Sequence, residues 1–433
     1  MKKIYYKLSM IQSSPLRIGN GNSEDTDSDL MTDSRDLPFI PGSSLAGVLR
    51  EQLLLCCGPE EGEERAQKLF GNVTVSREND KAASIESRIL VSDAVLPPDA
   101  DPERVKITRR DGVGLDEWGT AVRGAKFDFE VAETELPYTA VIEWSGDEEQ
   151  EKDEVEAILE PLMKRAAAGL TFGARTTRGY GEMQVSVLKK EFCFPEDLEK
   201  WLLFDAFQEK AFSDGTVLLA EHGSEETVVT VSLKMTGSFA VNVRTTTSDP
   251  EPDGTIPDSV PMMNRKELPV IPGTSISGVF RHHMHDILRE SGIQGVTVSD
   301  IDFLYGVDQS NNEHSRSKLR FSEMEVVGGR PCTVTRNAVD RFTAAPRNQG
   351  LYTVKLWHGG EGSFSIRFYR DTVSKKLLQL LAVCITDIHY GLLTFGGGSG
   401  VGRGCAAVTK IMVNETDVTD RLQKCDMDML EVQ

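Results

Sequence analysis

One stretch of this chain occurs twice. Residues 27–50 read DSDLMTDSRDLPFIPGSSLAGVLR, and residues 258–281 read DSVPMMNRKELPVIPGTSISGVFR. The two align without a gap at an offset of 231 residues, with 12 of 24 positions identical. Each runs from an acidic or polar loop through Leu-Pro-x-Ile-Pro-Gly into a segment of helical periodicity. A short Ser- and Gly-rich helix start can recur by chance, but an ungapped match that includes the upstream aspartate is much harder to obtain that way. The chain therefore reads as a tandem duplication, with the same kind of site expected in each half.

A length of 433 residues suits two domains of ordinary size. The spacing predicts a first domain over 1–192, a helical connector over 193–225, a second domain over 226–416 and a polar tail over 417–433. No apolar run approaches the roughly 20 residues that span a bilayer. The opening MKKIYYKLSMIQSS alternates apolar and polar residues, as a strand does and a signal peptide does not. The seven cysteines are odd in number and form no CxxC pair, which supports neither a disulfide framework nor a zinc ribbon and points to a reducing, cytoplasmic setting. A net charge of −20 opposes indiscriminate binding to nucleic acid, whose phosphates demand clustered Lys and Arg. Much of the acid sits in local runs, Glu24 to Asp29 and Asp147 to Glu156 among them, which read as solvated loops and helix faces.

In the first half, Tyr5 to Ile18 reads as the opening strand, followed by an acidic loop that carries Asp27 and Asp33. Hard divalent cations favour several carboxylate oxygens, and of these acids Asp27 recurs, as Asp258. The Pro-Gly turns place Ser43 and Ser44, and in the second half Thr274 and Ser275, at a helix start, where unpaired backbone N–H groups suit a phosphate. Ser87 to Leu96 and its counterpart Ser317 to Val326 read as strands, and Thr108 to Asp116 and Thr335 to Asp340 as basic turns. Phe127 to Val131 and Tyr138 to Trp144 alternate like the two strands of a hairpin. Pro195 to Glu209 reads as one amphipathic helix. His282, His283 and His285 form the one histidine cluster, with His282 and His285 on a shared helix face; solvated side chains explain them better than a metal with no third ligand.

Each half closes on a glycine loop, Leu170 to Gly181 (LTFGARTTRGYG) and Leu393 to Gly404 (LTFGGGSGVGRG). Gly173, Gly179 and Gly181 in the first, and Gly396, Gly402 and Gly404 in the second, let backbone amides approach a ligand, while Arg175, Arg178 and Arg403 supply phosphate-pairing forks. Neither loop is a GxxxxGK[ST] phosphate loop. The element order in each half predicts an α+β fold, two tandem ferredoxin-like (RRM-like) domains with antiparallel sheets and glycine-rich loops.

These motifs together resemble the RAMP superfamily of CRISPR-associated proteins, specifically the backbone subunits of type III effector complexes. The resemblance rests on IPGSSLAGVLR and IPGTSISGVFR, on SRILVSDA, on the basic segments ending in Leu115-Asp116 or Val339-Asp340, and on FGARTTRGYG. It implies a subunit that binds guide RNA in a groove lined by the helix start and glycine loop, together with target single-stranded RNA, other RAMP subunits, and the large and small subunits of a type III effector. It implies a hairpin thumb that splays the paired target, and an aspartate before the Pro-Gly motif that assists cleavage with a divalent metal, Mg2+ or Mn2+. That aspartate maps onto Asp27 and Asp258, each 14 residues before its motif proline; Asp33 is a rival, with Asn264 as its second-half equivalent. The phosphate contacts implied are Arg50, Arg109, Arg175, Arg178, Arg281, Arg336, Arg341 and Arg403.

The chemistry implied is in-line attack of the target's own 2′-hydroxyl on the adjacent phosphate, aligned by splaying the base, with RNA specificity following from that hydroxyl. Two other readings stay open at this point. One is a non-catalytic guide and target RNA scaffold of the same complex. The other is a metal-independent guide-processing ribonuclease, which calls for a general acid–base such as a histidine.

Overall fold

The structure, a computed structural model of the chain, describes all residues except 22–25, 75–82, 103–104, 117–119, 147–148, 209, 222–225, 245–253, 255, 308–314 and 432–433. Glu24 and Asp25 of the first acidic loop, and Asp147, fall outside the described residues. The chain forms two compact units. Unit 1 holds Met1–Thr108, Glu130–Thr176 and Tyr180–Ser224; unit 2 holds Arg109–Phe129, Thr177–Gly179 and Glu225–Gln433.

The first half runs β1 (Lys2–Gln12), α1 (Gly42–Cys57), α2 (Pro59–Phe70), β2 (Ile89–Val91), β3 (Ile107–Leu115), β4 (Ala121–Ala132), β5 (Pro137–Gly146), α3 (Glu149–Ala166), β6 (Glu182–Cys193) and β7 (Thr216–Leu218). Its main sheet has the order β7-β6-β1-β5-β2, with every pairing antiparallel. The alternation in β1 sends Ile4, Tyr6, Leu8 and Met10 to one face, where all four are buried. Against them pack Leu45, Leu49 and Leu53 from α1 and Leu159, Leu162 and Met163 from α3. A fully buried side chain of this kind contributes about 1.5–3 kcal/mol, so the helix stripe and the strand alternation together decide which face is inside.

The second half runs β8 (Glu226–Met235), α4 (Gly273–Ser291), α5 (Val298–Tyr305), β9 (Arg320–Phe321), β10 (Arg330–Val339), β11 (Pro346–His358), β12 (Glu361–Tyr369), α6 (Lys375–His389), β13 (Ala406–Val413) and β14 (Thr416–Asp417). Its main sheet has the order β14-β13-β8-β12-β9, again antiparallel. Strand for strand this is the order of the first sheet, with a helix after the first strand and another before the last long one. The fold is α+β, of ferredoxin-like topology.

Five local expectations are corrected. The segments read as basic turns are strands: Thr108 to Leu115 lies in β3, and Thr335 to Val339 in β10. Consequently the long hairpins are β3–β4 and β10–β11, and β5 pairs with β1 instead of with β4. Residues 87–96 give only the short β2, flanked by single bridges of Ala94 to Ile40 and Val95 to Thr139. Among the described residues of the connector a helix forms only over Leu198–Leu202, and Asp205 Oδ1 accepts from Phe207 N in the turn that follows. Its Trp201, Phe204 and Phe212 pack instead on Tyr5, Val141 and Phe192, on the sheet face opposite the helices of unit 1. The C-terminal residues also pack inward: Val418, Leu422, Met429 and Leu430 are buried in the core of unit 2.

Candidate nucleic-acid interface

Both Pro-Gly motifs start their helices one turn earlier than a serine cap would. Pro41 and Pro272 occupy the cap positions and neither helix has a side-chain cap, so Ser43, Ser44, Thr274 and Ser275 lie within the first turn. The glycine is required by close approach: a Cβ on Gly42 would lie 2.4 Å from Val91 O, and one on Gly273 2.4 Å from both Phe321 O and Arg178 O. In unit 1 the Gly42 amide donates to Asp93 Oδ1 at 2.7 Å, and Ser43 is exposed. Arg50 pairs with Glu63, and Arg281 with Asp302 at 2.7 Å.

The two glycine loops share one geometry. Phe172 N donates to Gly181 O and Ala174 N to Arg17 O; the matching bonds are Phe395 N to Gly404 O and Gly397 N to Ala240 O. Gly181 and Gly404 have φ of 78° and 81°, and a Cβ there would lie 1.8 and 2.1 Å from the carbonyls of Phe172 and Phe395. Gly173 and Gly396 are likewise closed in by Arg17 O and Ala240 O. These four glycines permit the chain's own close backbone packing. In this register Arg178 matches Val401, while Arg403 matches Tyr180 and folds across Gly398, so Arg403 is not a second Arg178. Arg175 adopts a φ of 62° where the second loop has Gly398.

Within unit 2, Arg178 lies beside the α4 helix start and feels Arg281. Burial, and then the charge of Arg281, lower the Arg178 pKa. Two guanidinium groups thus lie near each other in an acidic chain, Arg281 about two turns along α4 and paired with Asp302.

Asp27 and Asp258 are both exposed, and each lies along the outgoing strand of its own hairpin. Beside Asp27, Glu130 N donates to Ser28 O at 3.3 Å and Leu30 N to the Glu130 carboxylate at 2.9 Å. Asp258 N donates to Thr353 O at 2.8 Å, and its Oδ2 accepts from Thr353 N at 2.7 Å. Asp33 does different work. Its Oδ1 accepts from the amides of Arg35 and Leu37, as Asn264 Oδ1 does from Lys266 and Leu268. Partial burial alone would raise the Asp33 pKa, but those amides and the Arg35 side chain hold it below the usual carboxylate range.

On the first hairpin Arg109 pairs with Asp128. Arg336 sits on β10 opposite Tyr352, and Arg341 is exposed at the second hairpin's tip. Sequence reasoning missed Phe342, which is 93% exposed at that tip. Asp340 Oδ1 accepts from the amides of Phe342 and Thr343 and holds the turn. The signal was present: both tips read Asp-x-aromatic, Asp116 with Trp118 and Asp340 with Phe342, Trp118 lying outside the described residues. It also missed Arg110, fully buried and paired with Glu323 inside unit 2.

The histidines are partnered. His283 meets Asp387 at 2.6 Å and His285 meets Asp302 at 3.2 Å. His282 and His285 line a cavity of about 620 Å³ together with Leu115, Asp116, Arg281 and Asp302. Burial, then Arg281 and His285, lower the His282 pKa against the opposing pull of Asp286 and Asp116. Among the described residues, no group of three or more His, Cys, Asp or Glu is placed to hold a metal ion, and no helix is long and apolar enough to cross a membrane.

Residues 13–184 match the family model of the RAMP superfamily, a span that includes the first Pro-Gly motif, the first hairpin and the first glycine loop. This supports a RAMP protein. No curated protein matches the chain.

Proposed function

We propose that the chain is a tandem fusion of two RAMP modules, a backbone subunit of a type III CRISPR effector, that binds guide RNA and cuts the paired target RNA at Asp27 and Asp258. The observation that carries this reading is the recurrence of one exposed aspartate, in each half, at the flank of the outgoing hairpin strand. A hairpin that splays the target would leave a flipped nucleotide beside that carboxylate. Alignment of the 2′-hydroxyl with its phosphate is the largest entropic part of the barrier.

One exposed carboxylate per copy suits a hard cation that arrives with the substrate phosphate, since Mg2+ is commonly held by one or two carboxylates plus phosphate oxygens. Asp27 and Asp258 would hold it, and it would stabilise charge on the phosphate. The chain's own contributions are positional. Thr353 N and the Asp258 backbone fix the carboxylate, Arg178 and Arg281 draw in the phosphate backbone, and Phe342 offers a stacking face at the tip.

The second reading is a binding-only scaffold of the same complex, in which the two acidic loops are surface. The deciding experiment is cleavage of labelled target RNA by the guide-loaded complex in magnesium or in chelator. We expect Asp27→Ala and Asp258→Ala each to remove one product and the double variant to remove both, with binding retained. Equal cutting by all variants establishes the scaffold.

A further inference from the structure

Apart from Arg281, the side chains around the cavity of unit 2 have no part in the proposed cleavage. One face of α4, together with α5 and the end of β3, walls this space of about 620 Å³, a size that falls within the roughly 300–1,000 Å³ of small-ligand sites. Two of the walls are apolar and open. Leu115 on β3 is 46% exposed and Val298 on α5 is 54% exposed. Apolar side chains left half-exposed on separate elements around one cavity can be covered by a flat apolar body that enters it.

The carboxylates around the cavity are already engaged within the chain. Asp302 Oδ1 accepts from Arg281 Nη2 at 2.7 Å and also meets His285 Nε2 at 3.2 Å. Asp116 Oδ1 accepts from Thr120 N at 2.8 Å, and Asp286 lies 3.4 Å from Arg289 one turn along α4. Two cationic groups thus share one oxygen of Asp302. Of the charges felt at His282, Arg281 and His285 act more strongly than Asp286 and Asp116. The cavity therefore favours an anion although the whole chain is acidic. A phosphate would suit Arg281, Arg289 and the histidines, and an aromatic base would cover Leu115 and Val298. Inorganic phosphate leaves the apolar walls bare, and a sugar phosphate has no flat apolar face to cover them.

We propose that this cavity binds a nucleoside monophosphate, either free or as the 5′-phosphorylated end of an RNA strand. Neither Asp27 nor Asp258 lines the cavity, so the proposal stands apart from cleavage. Its test is titration of the purified chain, without guide RNA, with each of the four ribonucleoside 5′-monophosphates. At least one is expected to bind at one per chain, more tightly than its own nucleoside or inorganic phosphate does. Arg289→Ala removes a phosphate partner, and Val298→Glu sets a carboxylate against the ligand; each is expected to weaken binding at least about tenfold. Both residues are exposed, and an acidic residue suits the first turn of α5, so unchanged thermal melting is expected and checks the fold of each variant. A 5′-phosphorylated tetranucleotide that binds more tightly than the mononucleotide, and loses that affinity in Val298→Glu, identifies the strand end as the ligand; weaker binding identifies the free nucleotide. The proposal is overturned if no mononucleotide binds more tightly than about 1 mM, if inorganic phosphate binds as tightly as the nucleotide, or if both folded variants bind like wild type.

Discussion

At the scale of single residues, Asp33 and Asn264 separate a structural role from a chemical one. An asparagine oxygen accepts two backbone amides as well as a carboxylate oxygen does, and the second half uses Asn264 for the same turn. Asp33→Asn is therefore expected to retain both stability and cleavage, whereas Asp33→Ala should lower stability by about 1–2 kcal/mol in a denaturant titration. Loss of cleavage in Asp33→Asn would move the proposed chemistry to that position. His282 provides a pH test. Its folded pKa lies below the ordinary histidine value, so the unfolded chain takes up the proton first. Its contribution to stability is present above the unfolded pKa and is lost as pH falls through that value toward the folded one. Melting of unit 2 between about pH 8 and about pH 5.5 should thus show a fall that is smaller in His282→Asn. An identical pH profile in the variant would remove His282 from the account.

At the scale of elements, the first hairpin is held by a buried ion pair, Arg110 with Glu323. Removing one partner of such a pair typically costs about 3–5 kcal/mol, because the other charge stays buried. Glu323→Ala should therefore raise hydrogen exchange in residues 109–129 far more than elsewhere; uniform protection would mean that the pair contributes nothing to seating the hairpin. The hairpins were also the elements read least well from sequence. Thr108-Arg109-Arg110-Asp111-Gly112 carries turn-favouring residues and no apolar alternation, since the side chain that this strand buries is the charged Arg110 and not an apolar row. The connector failed for the opposite reason. Leu198, Trp201 and Leu202 fall at helical spacing, yet Trp201, Phe204 and Phe212 are held one by one on Tyr5, Phe192 and neighbouring residues. Tertiary packing there overrides local periodicity.

At the scale of the whole molecule, a net charge of −20 must be reconciled with RNA. The proposed answer is local: Arg178 and Arg281 lie close enough beside α4 for each to feel the other's charge. Binding of guide RNA should weaken steeply as salt rises, and the double variant Arg178→Ala, Arg281→Ala should reduce the slope of log K against log salt by about 1.4–1.8, from 0.7–0.9 per lost phosphate contact. An unchanged slope would place the phosphate contacts on other residues.

The sequence by itself determined the repeated 24-residue stretch and the α+β class, because buried strands and helix stripes repeat with periods that the residues display directly. It also singled out Asp27 and Asp258, because the two copies of the repeated stretch can be compared with each other. Only the tertiary structure decided which of the motif's residues serve the fold. It turned Asp33 into a turn former, gave four loop glycines to backbone packing, separated Arg403 from Arg178 and buried Arg110 against Glu323. Those outcomes depend on contacts between residues distant in sequence, and no local period or spacing records which carbonyl or carboxylate will lie opposite.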